Sequence, residues 1–253
     1  MRHEPLGPIG VRVTDLSLDA VTATQTGRIA DLLSEYGVVV VPAQTIDDHA
    51  FLAFLEGFGE LMFTEGETPL PGFPDLNVIS NVGRTTPPRS TFHVDTTYVS
   101  HPPAYTALRA VRVPAAGGHT LFSNQYVAYD TLPDEMRDDL AGRSVTHVVT
   151  GVDPGDDAET AADHPIFLTH PRSGRIALFL STPARCTAIS GKTSQETAGI
   201  IAYLVAHSTR PDNVLSHAWS AGDVVMWDNR VVMHRADHSG VIGDRVMHRG
   251  MVR

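Results

Sequence analysis

The segment Thr91-Phe-His93-Val-Asp95-Thr-Thr-Tyr98 places a histidine and a carboxylate two residues apart. If this segment is extended, His93 and Asp95 lie on one face, because strand side chains alternate between faces. Together they supply two of the three ligands of a facial metal site. The tripeptide alone is weak evidence, since a chain with 13 histidines and 29 acidic residues is expected to contain one or two such pairs by chance.

A second histidine that could complete this site occurs late in the chain. His234 ends the segment Met226-Trp-Asp-Asn-Arg-Val-Val-Met-His234. Two histidines and one carboxylate on one octahedral face leave three positions open. That ligand set is typical of non-haem Fe(II) oxygenases and not of structural zinc sites.

Two arginines follow the second histidine at an even spacing. Arg245 and Arg249 occur in Asp244-Arg-Val-Met-His-Arg249, so both can point to one face of a strand. Guanidinium groups directed into a cavity each require an anion. A metal site that binds one dicarboxylate and one anionic substrate would supply both anions.

These motifs resemble the taurine dioxygenase/2,4-dichlorophenoxyacetate dioxygenase family of Fe(II)- and 2-oxoglutarate-dependent oxygenases. The similarity runs from about Val11 to Val252, nearly the whole chain. It is carried by four segments: His93-Val-Asp95, Pro114-Ala-Ala-Gly-Gly-His-Thr120-Leu-Phe122, Trp227-Asp-Asn-Arg-Val-Val-Met-His234 and Arg245-Val-Met-His-Arg249.

The resemblance implies a role for each matched residue. His93, Asp95 and His234 are expected to bind Fe(II), Thr120 and Arg245 the distal carboxylate of 2-oxoglutarate, and Arg249 an anionic group of the substrate. 2-Oxoglutarate would take two of the open metal positions and O2 the third. The expected reaction is hydroxylation of a small anionic substrate with release of succinate and CO2. Desaturation, epoxidation or ring closure by the same oxidant remains an alternative.

Two stretches depart from the family pattern. Where the taurine enzyme has a substrate-contacting asparagine four residues before the first ligand, this chain has Arg89, which is either a substrate contact or a solvated loop residue. The segment Phe63–Pro74, expected to form a wall of the substrate cavity, also matches poorly. The substrate is therefore not identified by the resemblance.

Composition limits the other functions that the chain could have. A net charge of −10 argues against nucleic acid or an anionic membrane as a partner. Residues 1–5 lack a signal-peptide core, and Cys186 is the single cysteine, so we expect a cytoplasmic protein. A homo-oligomer remains open. A Schiff-base mechanism would have to use Lys192, the single lysine.

The pattern of short strands and turns predicts a mainly β protein with flanking helices, a double-stranded β-helix (jelly roll) that forms one domain over residues 1–253. We expect an initial helix–strand–helix unit, residues 22–58, to pack outside the catalytic sheet. Residues 213–219 and 224–227 are expected to form a hairpin. The acidic segment Gly151–His164 is expected to be a mobile lid or a solvated insert.

Two other functional classes remain open from the sequence. A zinc hydrolase could use the same three ligands with a water molecule, but it would have no use for Arg245 and Thr120. A jelly roll could also bind 2-oxoglutarate without turnover. Four further histidines near the motifs are expected at the surface or behind the ligands: His101, His119, His238 and His248.

Overall fold

The computed structural model of the chain describes residues 1–84 and 90–253. Its strands are β1 (Arg2–Pro5), β2 (Val11–Thr14), β3 (Val38–Val41), β4 (Leu61–Met62), β5 (Pro69–Leu70), β6 (Phe73–Ser80), β7 (Tyr105–Arg112), β8 (Thr120–Asn124), β9 (Ser144–Val148), β10 (Ala161–Pro165), β11 (Phe167–Thr169), β12 (Ile176–Leu178), β13 (Cys186–Ile189), β14 (Val214–His217), β15 (Val224–Asp228), β16 (Val232–Ala236) and β17 (Val246–Val252). Its α-helices are α1 (Ala23–Tyr36), α2 (Asp48–Glu56), α3 (Gln125–Asp130), α4 (Asp134–Leu140) and α5 (Ser194–Ser208).

One large sheet joins strands from both ends of the chain. Its order is β1-β2-β3-β15-β7-β17-β6-β5, and β4 also pairs with β17. All of these pairs are antiparallel except β2 with β3. A smaller antiparallel sheet, β14-β8-β16, packs against it. With two further sheets, β10-β9-β13 and β11-β12, these form the mainly β jelly roll that the sequence predicts.

The four valines of β3 show how the large sheet is buried on both faces. Val38 and Val40 belong to the core between the two sheets, where they share a cluster with Phe122 of β8. Val39 and Val41 point the other way, into the core beneath α1 and α2. All four are at most 2% exposed, as expected for an apolar run with a side-chain period of two.

Two of the helices begin with a capping box. Thr22 and Gln25 form a capping box at the start of α1, and Thr193 and Glu196 form another at the start of α5. Each box satisfies two backbone N–H groups that would otherwise lack partners in the first turn. No helix among the described residues is long and apolar enough to span a bilayer.

Two structural predictions need correction. The initial unit does not lie outside the catalytic sheet, because β3 pairs with β15 within it. β14 and β15 do not form a hairpin: the turn at Ala221–Asp223 exists, but β14 pairs with β8 in the small sheet and β15 pairs with β3 and β7. Turn residues fix a local reversal of the chain and not the sheet that the next strand joins. At the end of the acidic segment, Ala161–Pro165 forms β10 and pairs with β9; a mobile lid or a solvated insert stays a prediction for this segment.

The segment that carries His93 and Asp95 lies against the small sheet, because His93 pairs with His234 of β16. His93 and His234 form an antiparallel bridge in which each backbone N–H donates to the other's carbonyl at 2.9 Å. This pair of hydrogen bonds brings the early and late ligand motifs together.

Candidate metal and 2-oxoglutarate site

The three predicted metal ligands converge. One ligand atom from each of His93, Asp95 and His234 lies within 4.8 Å of the others. Nε2 of His93 is 3.5 Å from Oδ1 of Asp95, and Nε2 of His234 is 3.7 Å from Oδ2. The two imidazole rings lie 4.3 Å apart, so both ring edges border the same small space as the carboxylate.

The histidine nearest the carboxylate in sequence is held in the form that a metal needs. Nδ1 of His93 is 2.9 Å from the carbonyl oxygen of Thr91, and a carbonyl can only accept. The proton is therefore on Nδ1, which leaves the Nε2 lone pair facing Asp95. His234 is fixed by packing, because its ring lies 4.5 Å from that of the fully buried Trp227.

A line of hydrogen bonds behind the carboxylate fixes its orientation. Trp227 Nε1 donates to Asn229 Oδ1 at 3.1 Å, and Asn229 Nδ2 donates to the Thr106 hydroxyl at 2.8 Å. Thr106 in turn donates to Oδ2 of Asp95 at 2.8 Å. Because Asn229 already donates to Thr106, the hydroxyl proton is directed at Asp95, which therefore acts as an acceptor.

Electrostatics keep the ligands in their binding forms. Burial lowers the pKa of His234 to about 3, so its imidazole is neutral at neutral pH. Burial alone would raise the pKa of Asp95, but the basic side chains around the carboxyl outweigh it and hold that pKa well below its usual range. Neutral imidazoles and an ionised carboxylate are the species that coordinate a divalent ion.

The two histidine ligands line a cavity of about 240 Å³ whose walls are rich in basic side chains. The basic residues that line it are His93, His234, His238, Arg84, Arg245 and Arg249. A larger cavity of about 610 Å³ lies beside Asn229 and Arg230, but none of the three ligands lines it. Size alone would therefore select the wrong cavity.

Arg245 forms an anion site at one side of the ligand cavity. The residue is 1% exposed, and no carboxylate among residues 1–84 and 90–253 lies within ion-pair distance of it. Its Nε donates to the carbonyl of Gly118 at 2.9 Å, and its Nη2 donates to Thr120 at 3.2 Å. Burial without a counter-ion lowers the pKa of Arg245 to about 10. A buried guanidinium in this state has capacity for a bound carboxylate.

Gly118 allows this arginine to approach. Gly118 has φ +70°, and a Cβ there would come within 3.1 Å of Cδ of Arg245 and 3.0 Å of Pro114. A larger residue would both strain the backbone and displace the guanidinium.

Thr120 has a free donor for the same anion. Its hydroxyl oxygen accepts from Trp219 Nε1 at 3.0 Å and from Arg245 Nη2 at 3.2 Å. A hydroxyl has one proton and two lone pairs, so with both lone pairs used the O–H remains available to donate. Arg245 and Thr120 thus provide adjacent donors at the cavity wall.

Arg249 also lines this cavity, but it already has partners. Its Nη1 is 3.5 Å from Oδ1 of Asp95, its Nε donates to Asn77 at 3.0 Å, and its Nη2 forms an ion pair with Glu67. Burial would lower the pKa of Arg249, but Asp95 and Glu67 outweigh that effect and raise it.

The described structure brings together six of the seven predicted site residues: the three ligands, Thr120, Arg245 and Arg249. Arg89 lies outside the described residues. Sequence reasoning missed five side chains that support the site: Glu67, Asn77, Thr106, Trp219 and Asn229. Asn229 lies inside the matched Trp227–His234 motif, so that motif offered a signal for it.

A family model described as "Taurine catabolism dioxygenase TauD, TfdA family" matches residues 2–251. The chain belongs to this family. The double-stranded β-helix prediction for this TauD, TfdA family member is confirmed by its likeness to a solved relative. A taurine dioxygenase from Burkholderia xenovorans superposes with a TM-score of 0.87 at 28% identity, covering 99% of this chain and 90% of the other.

Two curated relatives of this family member extend the comparison. An alpha-ketoglutarate-dependent 2,4-dichlorophenoxyacetate dioxygenase from Cupriavidus pinatubonensis is 29% identical, covering 97% of this chain and 94% of its own length. A pentalenolactone F synthase from Streptomyces arenae is 28% identical, covering 91% of this chain and 86% of its own.

Proposed function

We propose that this protein is an Fe(II)- and 2-oxoglutarate-dependent dioxygenase that hydroxylates a small anionic substrate and releases succinate and CO2. The observation that carries the proposal is that two histidines of the ligand triad line the same cavity as a buried arginine that has no carboxylate partner among the described residues. The triad alone would also suit a zinc hydrolase, which has no need for a second anion site.

The donor set fits a divalent iron ion. His93, Asp95 and His234 would hold it with neutral imidazoles and one carboxylate, the facial arrangement that leaves positions open for other ligands. With 2-oxoglutarate and O2, the bound iron would supply oxidation of an unactivated C–H bond. A reducing compartment such as the cytoplasm would keep it ferrous.

The residues of the cavity then have separate tasks. Arg245 and Thr120 would hold the distal carboxylate of 2-oxoglutarate through a charged donor and the free O–H of the threonine. Thr106 would keep Asp95 oriented toward the metal. Arg249, across the same cavity, would attract the anionic group of the substrate and place its C–H bond near the reactive centre.

Two relatives support an anionic substrate, because the names of both describe an oxygenase for an anion: taurine carries a sulfonate and 2,4-dichlorophenoxyacetate a carboxylate. The synthase from Streptomyces arenae favours a second candidate, in which the same oxidant performs desaturation or ring closure in a biosynthetic pathway. The placement of the substrate's C–H bonds in the cavity would decide between these outcomes.

Turnover assays test the proposal. The purified protein with Fe(II), ascorbate and 2-oxoglutarate in air is expected to release succinate, with faster release when a suitable sulfonate, sulfate ester or aryloxyacetate is added. Zinc in place of iron should abolish the reaction. Binding of 2-oxoglutarate without any succinate would instead indicate a non-catalytic binding protein.

A further inference from the structure

The Arg249 subsite already contains a carboxylate, that of Glu67. Glu67 Oε2 accepts from Nη2 of Arg249 and from the side-chain amide of Asn77. Asn77 in turn accepts from Nε of Arg249 at 3.0 Å, so the three side chains form a closed cluster beside Asp95. A substrate anion that binds Arg249 therefore has to compete with Glu67 for the guanidinium.

The backbone around Glu67 is held from several sides. Its N–H donates to the carbonyl of Thr64 at 3.2 Å, and the Thr64 hydroxyl is 2.9 Å from that of Thr96, next to the metal ligand Asp95. Gly66, with φ +86°, approaches the Asp153 backbone so closely that a Cβ would lie 2.3 Å from its carbonyl oxygen. These contacts fix the backbone position from which the Glu67 side chain reaches Arg249.

The Glu67 side chain can rotate away from Arg249 toward solvent. It is 24% exposed, against 11% for Arg249, so rotation toward solvent would hydrate the carboxylate instead of burying it unpaired. The guanidinium cannot move in the same way, because it remains bound to Asn77 and Asp95. Of the two members of this ion pair, Glu67 is therefore the one that a substrate anion can replace.

Because of the charge balance at Arg249, a substrate anion can bind there only if it replaces Glu67. Arg249 carries one positive charge and is flanked by the carboxylates of Asp95 and Glu67. A third anion beside these two would be repelled at close range. If Glu67 rotates away, Nη2 of Arg249 becomes free to donate to the incoming group.

Resting on the proposed function, we propose that Glu67 is a specificity-determining residue that occupies the anion subsite of Arg249 until the substrate's anionic group displaces it. Glu67 thereby lowers the affinity for every anion at this subsite. It selects those substrates whose remaining contacts are strong enough to overcome the competition.

Anion binding to the Fe(II)-loaded protein, kept anaerobic with saturating 2-oxoglutarate, tests this role. Calorimetric titrations would use phenoxyacetate and ethanesulfonate as anions and 2-phenoxyethanol as a neutral counterpart. Glu67→Gln removes the charge but keeps the shape and an acceptor oxygen, and Glu67→Ala serves as a second variant. Glu65→Gln is the matched control, because Glu65 lies on the same turn but is exposed, and the ion pairs of Arg249 are with Glu67 and Asp95.

We expect Glu67→Gln and Glu67→Ala to bind the two anions at least about tenfold more tightly than the wild type, the size of one charge-assisted contact. Affinity for 2-phenoxyethanol should stay the same, and Glu65→Gln should behave as the wild type. Equal or weaker anion binding by both Glu67 variants, including no binding by any protein, would overturn the role.

The visible absorption band of the iron–2-oxoglutarate chelate, recorded on the same samples, distinguishes a failure of the proposed role of Glu67 from a failure of the proposed function. A band in the wild type with unchanged anion affinities would contradict only the role of Glu67. Absence of the band would contradict the proposed function, and the inference that rests on it.

Discussion

Thr106 donates a 2.8 Å hydrogen bond to Oδ2 of Asp95 from the neighbouring strand β7, and both side chains are buried. The bond connects the single carboxylate ligand to the large sheet through an oxygen that also faces His234. The orientation of the Asp95 carboxylate therefore depends on the large sheet as well as on the segment that carries Asp95.

Replacing Thr106 by valine removes this bond without changing the side-chain shape. We expect the affinity for Fe(II) to fall by about tenfold to a hundredfold, because ligands lose their orientation when their supporting partners are removed. Equilibrium dialysis with Fe(II) would measure it. Thr106→Ser keeps the hydroxyl and should restore most of the affinity; a serine variant as weak as the valine variant would point to packing instead.

Each of His93→Ala, Asp95→Ala and His234→Ala should abolish iron binding and turnover while the fold is retained. A neighbouring side chain cannot replace a lost ligand, since coordination requires a donor at the right distance. Metal content and circular dichroism check both parts. His101→Ala is the control, because His101 is exposed and six residues beyond Asp95. Normal activity of the His234 variant with added Fe(II) would refute the ligand assignment.

Arg245→Gln should weaken 2-oxoglutarate much more than iron. A charge-assisted contact in a buried site is stronger than a neutral hydrogen bond, so we expect the Michaelis constant for 2-oxoglutarate to rise by about tenfold or more. Dissociation of Fe(II) should change little, because no ligand contacts Arg245 among its described partners. An unchanged Michaelis constant would show that another group binds the distal carboxylate.

The buried His147 should make the protein sensitive to acid. Burial lowers the pKa of His147 to about 3, with smaller contributions from His164 and Arg185. Below its ordinary pKa of 6.5, the unfolded chain binds a proton there that the folded chain does not, so stability falls as the pH drops from 6.5 toward 3.

The effect on stability can be measured with one substitution. Between pH 7.5 and pH 5, the free energy of unfolding of the wild type should fall by about 2 kcal/mol more than that of His147→Leu. Urea unfolding at the two pH values would measure both. An identical fall in both proteins would mean that His147 is protonated in the folded state.

The ligand triad could be found from sequence because its pieces are local. His93 and Asp95 are two residues apart, and His234 ends a motif whose spacing is itself recognisable. The same holds for Arg245 and Thr120, which lie in short matched segments. What brings these segments together, the bridge between residues 93 and 234, has no local signal.

Glu67 could not be found in this way. It lies in the segment that matches the family poorly, and it reaches Arg249 across 182 positions of sequence. Whether Arg249 faces an open cavity or an internal carboxylate depends on that long-range contact. The misplaced hairpin has a similar cause, since the turn at Ala221–Asp223 was visible but its connection between two sheets was not.

The most direct test of the account is an anaerobic titration of the Fe(II)-loaded protein with 2-oxoglutarate, followed by visible absorption. We expect a weak charge-transfer band that saturates at one 2-oxoglutarate per protein, is absent in Asp95→Ala, and requires much more 2-oxoglutarate in Arg245→Gln. No band in the wild type at saturating 2-oxoglutarate would contradict it.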